Sequence, residues 1–153
     1  MAEKYYSHKN PSNLMPSEIL KNVPEIYGQE DAAFADKVVH AAYIIPFKSS
    51  WTWYLTEYDK QTGDGFGLVV GYEPEWGYFR LSELKDLGAE RLILEDFPKT
   101  FKEIAQTELA RRMTKQELED AFMGTLDVES LGEPLTAIQQ VGRDAKNAEG
   151  LEL

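Results

Sequence analysis

Apolar positions change their spacing once along the chain, and the change divides the expected elements into a sheet half and a helical half. Up to about residue 94 the strong signals alternate with period two, as in strands; beyond Thr100 they recur at three and four residues, as on one helix face. The densest stretch is Trp51-Thr52-Trp53-Tyr54-Leu55-Thr56-Glu57-Tyr58, with four large rings in eight positions. Alternation places Trp51, Trp53, Leu55 and Glu57 on one side and Thr52, Tyr54, Thr56 and Tyr58 on the other. The first side is the better core face.

Around this stretch the other elements follow in order. Residues 1 to 14 form a polar arm with a loop signal at Asn10-Pro11-Ser12-Asn13, expected to be flexible, and with Tyr5 and Tyr6 as possible anchors. Pro16 suits a first helical position, and Ile19, Leu20 and Val23 make a short apolar stripe that Pro24 ends. Lys37 to Phe47 is rich in branched and aromatic residues and predicts a strand. After the polar connection Asp59 to Gly65, Phe66 to Tyr72 predicts an antiparallel partner for the aromatic strand. In it, Gly67, Val69 and Gly71 leave one face nearly bare, open to a neighbouring tryptophan ring or to a ligand.

Glu73-Pro74-Glu75-Trp76-Gly77 has the composition of a turn, followed by a short strand at Tyr78 to Leu81 and a short helix with Ser82 as N-cap and Gly88 as stop. Arg91 to Leu94 predicts a fifth strand. Two capping boxes, Thr100 with Glu103 and Thr114 with Glu117, then open two helices. Phe101, Ile104, Ala105, Leu109 and Met113 share one face of the first; Leu118, Ala121 and Phe122 share one face of the second, which stops at Gly124. Leu135, Ile138 and Val141 suggest a last helix. The expected fold is therefore α+β: one domain over residues 1–153, with a small, mostly antiparallel sheet of four to five strands, a short N-terminal helix and a helical extension over residues 99–153 holding two to three helices.

Charge adds a functional lean. The chain has 27 acidic and 16 basic residues, a formal net charge of -11, which disfavours phosphate-backbone binding because that affinity rests on lysine and arginine displacing counterions. An acidic surface serves solubility or competes for a protein that normally holds nucleic acid. There is no cysteine, so disulfides, thiolate metal sites and cysteine nucleophiles are excluded together. No apolar run approaches the roughly 20 residues of a membrane helix, and the expected location is the cytoplasm of a bacterial host.

Candidate chemistry is sparse. His8 and His40 lack a neighbouring ligand at metal spacing, and His40 is expected to be a packed or surface residue. Glu57 and Asp59 lie two apart on a strand, as a carboxylate pair for acid–base work would, although carboxylates at a strand end are more often solvated. Gly63, Gly65 and Gly67 fall in a hairpin, not between a strand and a helix as a dinucleotide fingerprint requires. No nucleophile elbow, zinc-protease pair or phosphate-loop lysine is present. No enzymatic activity and no cofactor are expected.

Three blocks carry a resemblance: Ser50 to Asp59, then Phe66-Gly67-Leu68-Val69-Val70-Gly71-Tyr72-Glu73, then Glu75-Trp76-Gly77-Tyr78-Phe79-Arg80-Leu81-Ser82-Glu83-Leu84. In order and spacing they resemble domain of unknown function family 2958, over roughly residues 15 to 110. The resemblance implies a protein of bacterial plasmids, conjugative elements or phages, often encoded beside anti-restriction or transfer genes, and brings no catalytic residues with it.

The function expected from residues and resemblance together is a non-enzymatic acidic inhibitor of a host nucleic-acid-targeting defence enzyme or its nucleoprotein complex, of the anti-CRISPR or anti-restriction type. Glu73, Glu75, Glu83 and Asp86 around a Trp76 anchor, with Tyr54, Tyr58 and Tyr78, are the candidate contact residues. The alternative is a single-stranded nucleic-acid-binding accessory protein, with Tyr54, Tyr58 or Tyr78 stacking bases and Arg80 and Lys60 on phosphate. Trp51 and Trp53 are assigned to the core.

Overall fold

The computed structural model describes residues 10–93 and 97–150, the side chains of 148–150 excepted. Tyr5, Tyr6 and His8 lie outside these residues. The architecture is α+β, as the change of period predicts. Its centre is a five-stranded antiparallel sheet in the order β5-β4-β3-β2-β6, made of β2 (Ala41–Ile44), β3 (Thr52–Tyr58), β4 (Asp64–Val70), β5 (Pro74–Arg80) and β6 (Glu90–Arg91). A separate two-residue ladder joins β1 (Val38–Val39) to β7 (Lys99–Thr100).

The aromatic strand β3 lies in the middle of the sheet, and it is buried on both faces. Leu55 and Trp53 face a cluster with Tyr43, Ile45, Phe79, Leu81 and Leu84; Tyr54 faces a second cluster with Leu68, Val70 and the C-terminal helices. The expectation of a single core face is therefore corrected: a strand between two covered faces has no solvent side. A β-bulge between Leu55 and Glu57 adds a residue and reverses the alternation, so Tyr58 packs on the same side as Trp53 instead of the side of Tyr54.

One face is closed by helices. These are α3 (Phe101–Ile104), a π-helical turn over Ala105–Leu109, and α4 (Lys115–Phe122). Phe101, Ile104, Ala105, Leu109, Met113, Leu118, Ala121 and Phe122 are all buried here, the two predicted apolar faces. Thr100 Oγ1 accepts the Glu103 N–H, and Thr114 with Glu117 closes the full reciprocal box. Met123 and Gly124, both left-handed, end α4.

The last helix, α5 (Ala137–Gly150), is present but oriented against the prediction. Ile138 and Val141 are 85% and 69% exposed, while Arg143 and Asn147 are buried. Polar partners decide the orientation. Arg143 donates to Glu117, Asp144 and the carbonyls of Arg112 and Tyr72; Asn147 accepts from Ser49, Ser50 and the Ser50 N–H, and donates to the Gly71 carbonyl. Polar side chains can be buried only with such partners, and their pairing turns this face inward and leaves Ile138 and Val141 outside.

The other face is covered more thinly, by Leu14, Val23, the single turn α1 (Ser17–Leu20) and the short helix α2 (Leu81–Asp86). Residues 10–14 of the N-terminal arm are held in place: the Tyr43 hydroxyl donates to the Leu14 carbonyl at 2.7 Å, and the Arg91 guanidinium donates to the carbonyls of Asn13 and Asn10. Helix α2 begins one residue before the expected cap, with Arg80 at the N-cap and no side-chain cap bond, and it stops at left-handed Gly88 as predicted.

Candidate functional site

The segment Glu73 to Gly77 carries three of the eight candidate residues, Glu73, Glu75 and Trp76, and from Pro74 onward it is strand and not turn. Pro74 begins a full seven-residue strand paired with β4 from Val70↔Pro74 to Asp64↔Arg80. Proline is tolerated there because it starts an edge strand. Pairing with seven residues of β4 outweighs the turn-like composition. The consequence is a division of the acidic–aromatic segment between the two faces of the sheet: Trp76 and Tyr78, opposite Leu68 and Phe66, face the helices, while Glu75 and Gly77, opposite Val69 and Gly67, face the thin side.

On the thin side the cover is incomplete, and a groove runs along β5. One part, about 410 Å³, is bordered by Trp51, Trp53 and Val69, by every β5 residue from Glu75 to Arg80, Trp76 and Tyr78 included, and by Glu83, Leu84 and Leu87. An adjoining notch of about 230 Å³ is lined by Trp51, Val69, Gly71, Tyr72, Glu73 and Glu75. Two glycines make the groove. A Cβ on Gly77 would meet nothing within 4 Å, so its absence leaves open floor; a Cβ on Gly71 would lie 2.7 Å from the Trp51 ring, so its absence lets that ring lie flat on the strand. The tryptophan approach expected for the bare face of β4 is thus made by Trp51.

The rim is acidic and its charge is unspent. Glu73 and Glu75 are exposed, and their side chains make no hydrogen bond or ion pair with any described residue. Glu83 lines the groove from α2, and Asp86 is exposed on the same helix. Arg80, the cation at the far end, is held by Asp64 through two hydrogen bonds of 2.9 and 3.3 Å.

The remaining candidates fall elsewhere. Tyr54 has no exposed surface and is withdrawn as a contact residue. Its hydroxyl donates to Glu108 at 3.2 Å, and burial, joined by that carboxylate, pushes its phenol well above the ordinary range. Trp76 is half-buried and is no free anchor: its indole N–H donates to the Ala121 carbonyl, and its ring packs on Phe34, Phe101 and Phe122. Tyr78 is exposed on that opposite face, edge-on to Phe66. Tyr58 lines a different depression, with Pro24, Ile26 and Lys60.

No family model, no curated protein and no solved structure matches the chain.

The two carboxylates weighed for acid–base work are committed to backbone groups. Glu57 is 4% exposed, and its two carboxylate oxygens accept the backbone N–H groups of Tyr27 and Gln29 at 2.9 Å each. It clamps a loop in which Tyr27 is left-handed, at φ 73°. Asp59 instead accepts the Gln61 N–H at 2.9 Å and organises its own hairpin. The two carboxylates serve separate pieces of backbone. His40 is half-buried, and desolvation lowers its pKa. Among the described residues no group of three histidines or carboxylates could hold a metal ion, and no helix is long and apolar enough to cross a membrane.

Tyr72, Trp51, Leu84 and Leu87 are lining residues that sequence reasoning did not assign to a site. The usable signal was glycine at 71, just past β4, and at 77, in β5, which marks removed side chains beside Trp51 and on the groove floor.

Proposed function

We propose that this chain is a non-enzymatic binding protein whose acidic β5–α2 face engages a basic, nucleic-acid-handling partner and occupies the channel that would otherwise hold nucleic acid. The observation that carries this reading is the open groove whose floor is aromatic and whose rim holds Glu73, Glu75 and Glu83, with Asp86 nearby. Glu73 and Glu75, whose carboxylates have no partner among the described residues, keep their full charge for an incoming cation. A net charge of -11 extends the same field over the molecule and speeds encounter with a basic surface. The resemblance to domain of unknown function family 2958 points in the same direction, toward a mobile element's inhibitor of a bacterial host's defence enzyme.

Direct binding of single-stranded nucleic acid draws less support. A stacking platform needs its rings on one surface. Tyr54 is enclosed, Tyr58 and Tyr78 lie on opposite faces, and Arg80 is already paired with Asp64. A gel shift with labelled single strand at low salt is expected to show no complex.

The test is a paired capture from bacterial lysate, with nuclease present, using the wild-type chain and a variant carrying lysine at positions 73, 75, 83 and 86 as baits. Basic nucleic-acid-handling proteins retained by the first, lost by the second and eluted by salt are the expected result. The same proteins held equally by both baits, at any salt, would overturn the proposal.

A further inference from the structure

The two parts of the groove differ in chemistry, and the smaller has the features of a seat for one cationic side chain. Its walls are Trp51 and Tyr72, whose ring centroids are 5.6 Å apart with planes at 81°. The two rings touch edge to face and form a corner, so a cation meets the aromatic surface from outside the pair, beside half-exposed Tyr72; an aromatic face attracts a cation through its quadrupole. Trp51 is fixed: it lies against Gly71 on one side and against Trp53, at 5.7 Å, on another. Glu73 and Glu75 stand at the mouth without partners. Arg143, which reaches the Tyr72 carbonyl from behind, is already matched by Glu117 and Asp144 and does not neutralise them.

Size and polarity select the occupant. A volume of about 230 Å³ admits one long side chain and no folded element. A planar guanidinium stacks on an aromatic face and still offers N–H donors at its edge to two carboxylates, whereas an ammonium is a compact, strongly hydrated point charge. The adjoining part changes character: beyond Glu75 the bare Gly77 opens toward Leu84 and Leu87 of α2, an apolar end.

Resting on the reading of this face as a surface for a basic partner, we propose that the Trp51–Tyr72 notch takes an arginine side chain from an extended segment of that partner. A neighbouring apolar side chain of the same segment lies over Gly77 against Leu84 and Leu87. The recognition element is thus an arginine followed closely by an aliphatic residue, in extended conformation, not basic charge alone.

The probe is a short fluorescent peptide containing one arginine and one leucine two residues apart. It is titrated at low salt beside a peptide with citrulline for arginine, which keeps the shape and removes the charge. The expected result is at least tenfold tighter binding of the arginine peptide. Y72A weakens it by about fivefold, the double change E73Q/E75Q by about tenfold, and G77L abolishes the preference for leucine over glycine in the peptide. E119Q, on α4 at the helical face, changes binding by less than twofold. Tyr72 and Gly77 are surface positions, and unchanged circular dichroism certifies each variant. Equal binding of the citrulline peptide, or a loss shared by E119Q and indifferent to Y72A, overturns the notch while leaving the acidic-surface reading to the paired capture. Absence of any peptide binding beside a charge-dependent capture overturns the notch in the same way.

Discussion

The two faces of the central sheet are built from the same strands and end in opposite conditions. On the helical face, Phe101, Ile104, Leu109, Leu118 and Phe122 close over Tyr54 and Leu68, and the Trp76 indole finds the Ala121 carbonyl. Even the charge buried there is matched, since Glu108, 1% exposed, accepts from Tyr54, Arg111 and Arg112. On the thin face a single-turn helix and a six-residue helix cover less than the sheet presents, and the remainder is a groove. Full packing is what stability requires; a gap with fixed aromatic walls and unpaired carboxylates is what binding requires. The difference assigns the two roles to two sides of one sheet.

Several substitutions would break or sharpen this contrast. The largest effect is expected at Glu108 on the closed face. Glu108→Ala removes the acceptor of a buried tyrosine and of two arginines, and chemical denaturation should register a loss of about 3 kcal/mol with little effect on peptide binding. Loss of binding with unchanged stability would reverse the assignment.

Alkaline pH comes next, and it samples both faces. Burial pushes the Tyr43 phenol upward on the thin side, and burial with the Glu108 carboxylate does so for Tyr54 on the helical side. Raised folded-state values mean that the unfolded chain releases these protons first. The stabilisation is complete below the unfolded tyrosine value of about 10 and is lost as pH rises above it, by about 1.4 kcal/mol per pH unit for each tyrosine. Urea midpoints measured from pH 9 to 11.5 should fall, and Tyr43→Phe or Tyr54→Phe should each make the fall shallower.

A smaller effect separates the two glycines of the groove. Gly71→Ala forces Trp51 off the strand and should cost about 1–3 kcal/mol. Gly77→Ala enters open space and should leave the midpoint within about 0.5 kcal/mol, with any gain coming from the restricted unfolded chain. Equal effects at the two positions would mean that the groove floor is not open at Gly77.

Much of the fold was legible because local chemistry and tertiary packing agree there. The capping residues Thr100 and Thr114 and the buried helix faces match their patterns, and the aromatic stretch is a strand as expected, although buried on both faces. Disagreement arises where pairing overrides composition. The Glu73 to Gly77 segment has turn residues but is drawn into β5 by seven partners in β4, and this sends Trp76 inward and Glu75 outward. The bulge at Thr56 reverses the side on which Tyr58 lies, and nothing in the pattern of β3 announces an extra residue. Helix α5 has an apolar stripe that faces outward because Arg143 and Asn147 find specific acceptors and donors 26 to 98 residues away, contacts invisible to periodicity. The acids of the candidate site were identified; the walls between which they stand needed the register.

The most direct measurement is a two-dimensional nuclear magnetic resonance titration of the labelled chain with the arginine–leucine peptide. The account predicts that the Trp51 indole and the amides of Tyr72, Glu75 and Gly77 shift together and saturate, while the Trp76 indole, enclosed against Ala121, stays in place. Movement of Trp76 with Trp51 unmoved would contradict it.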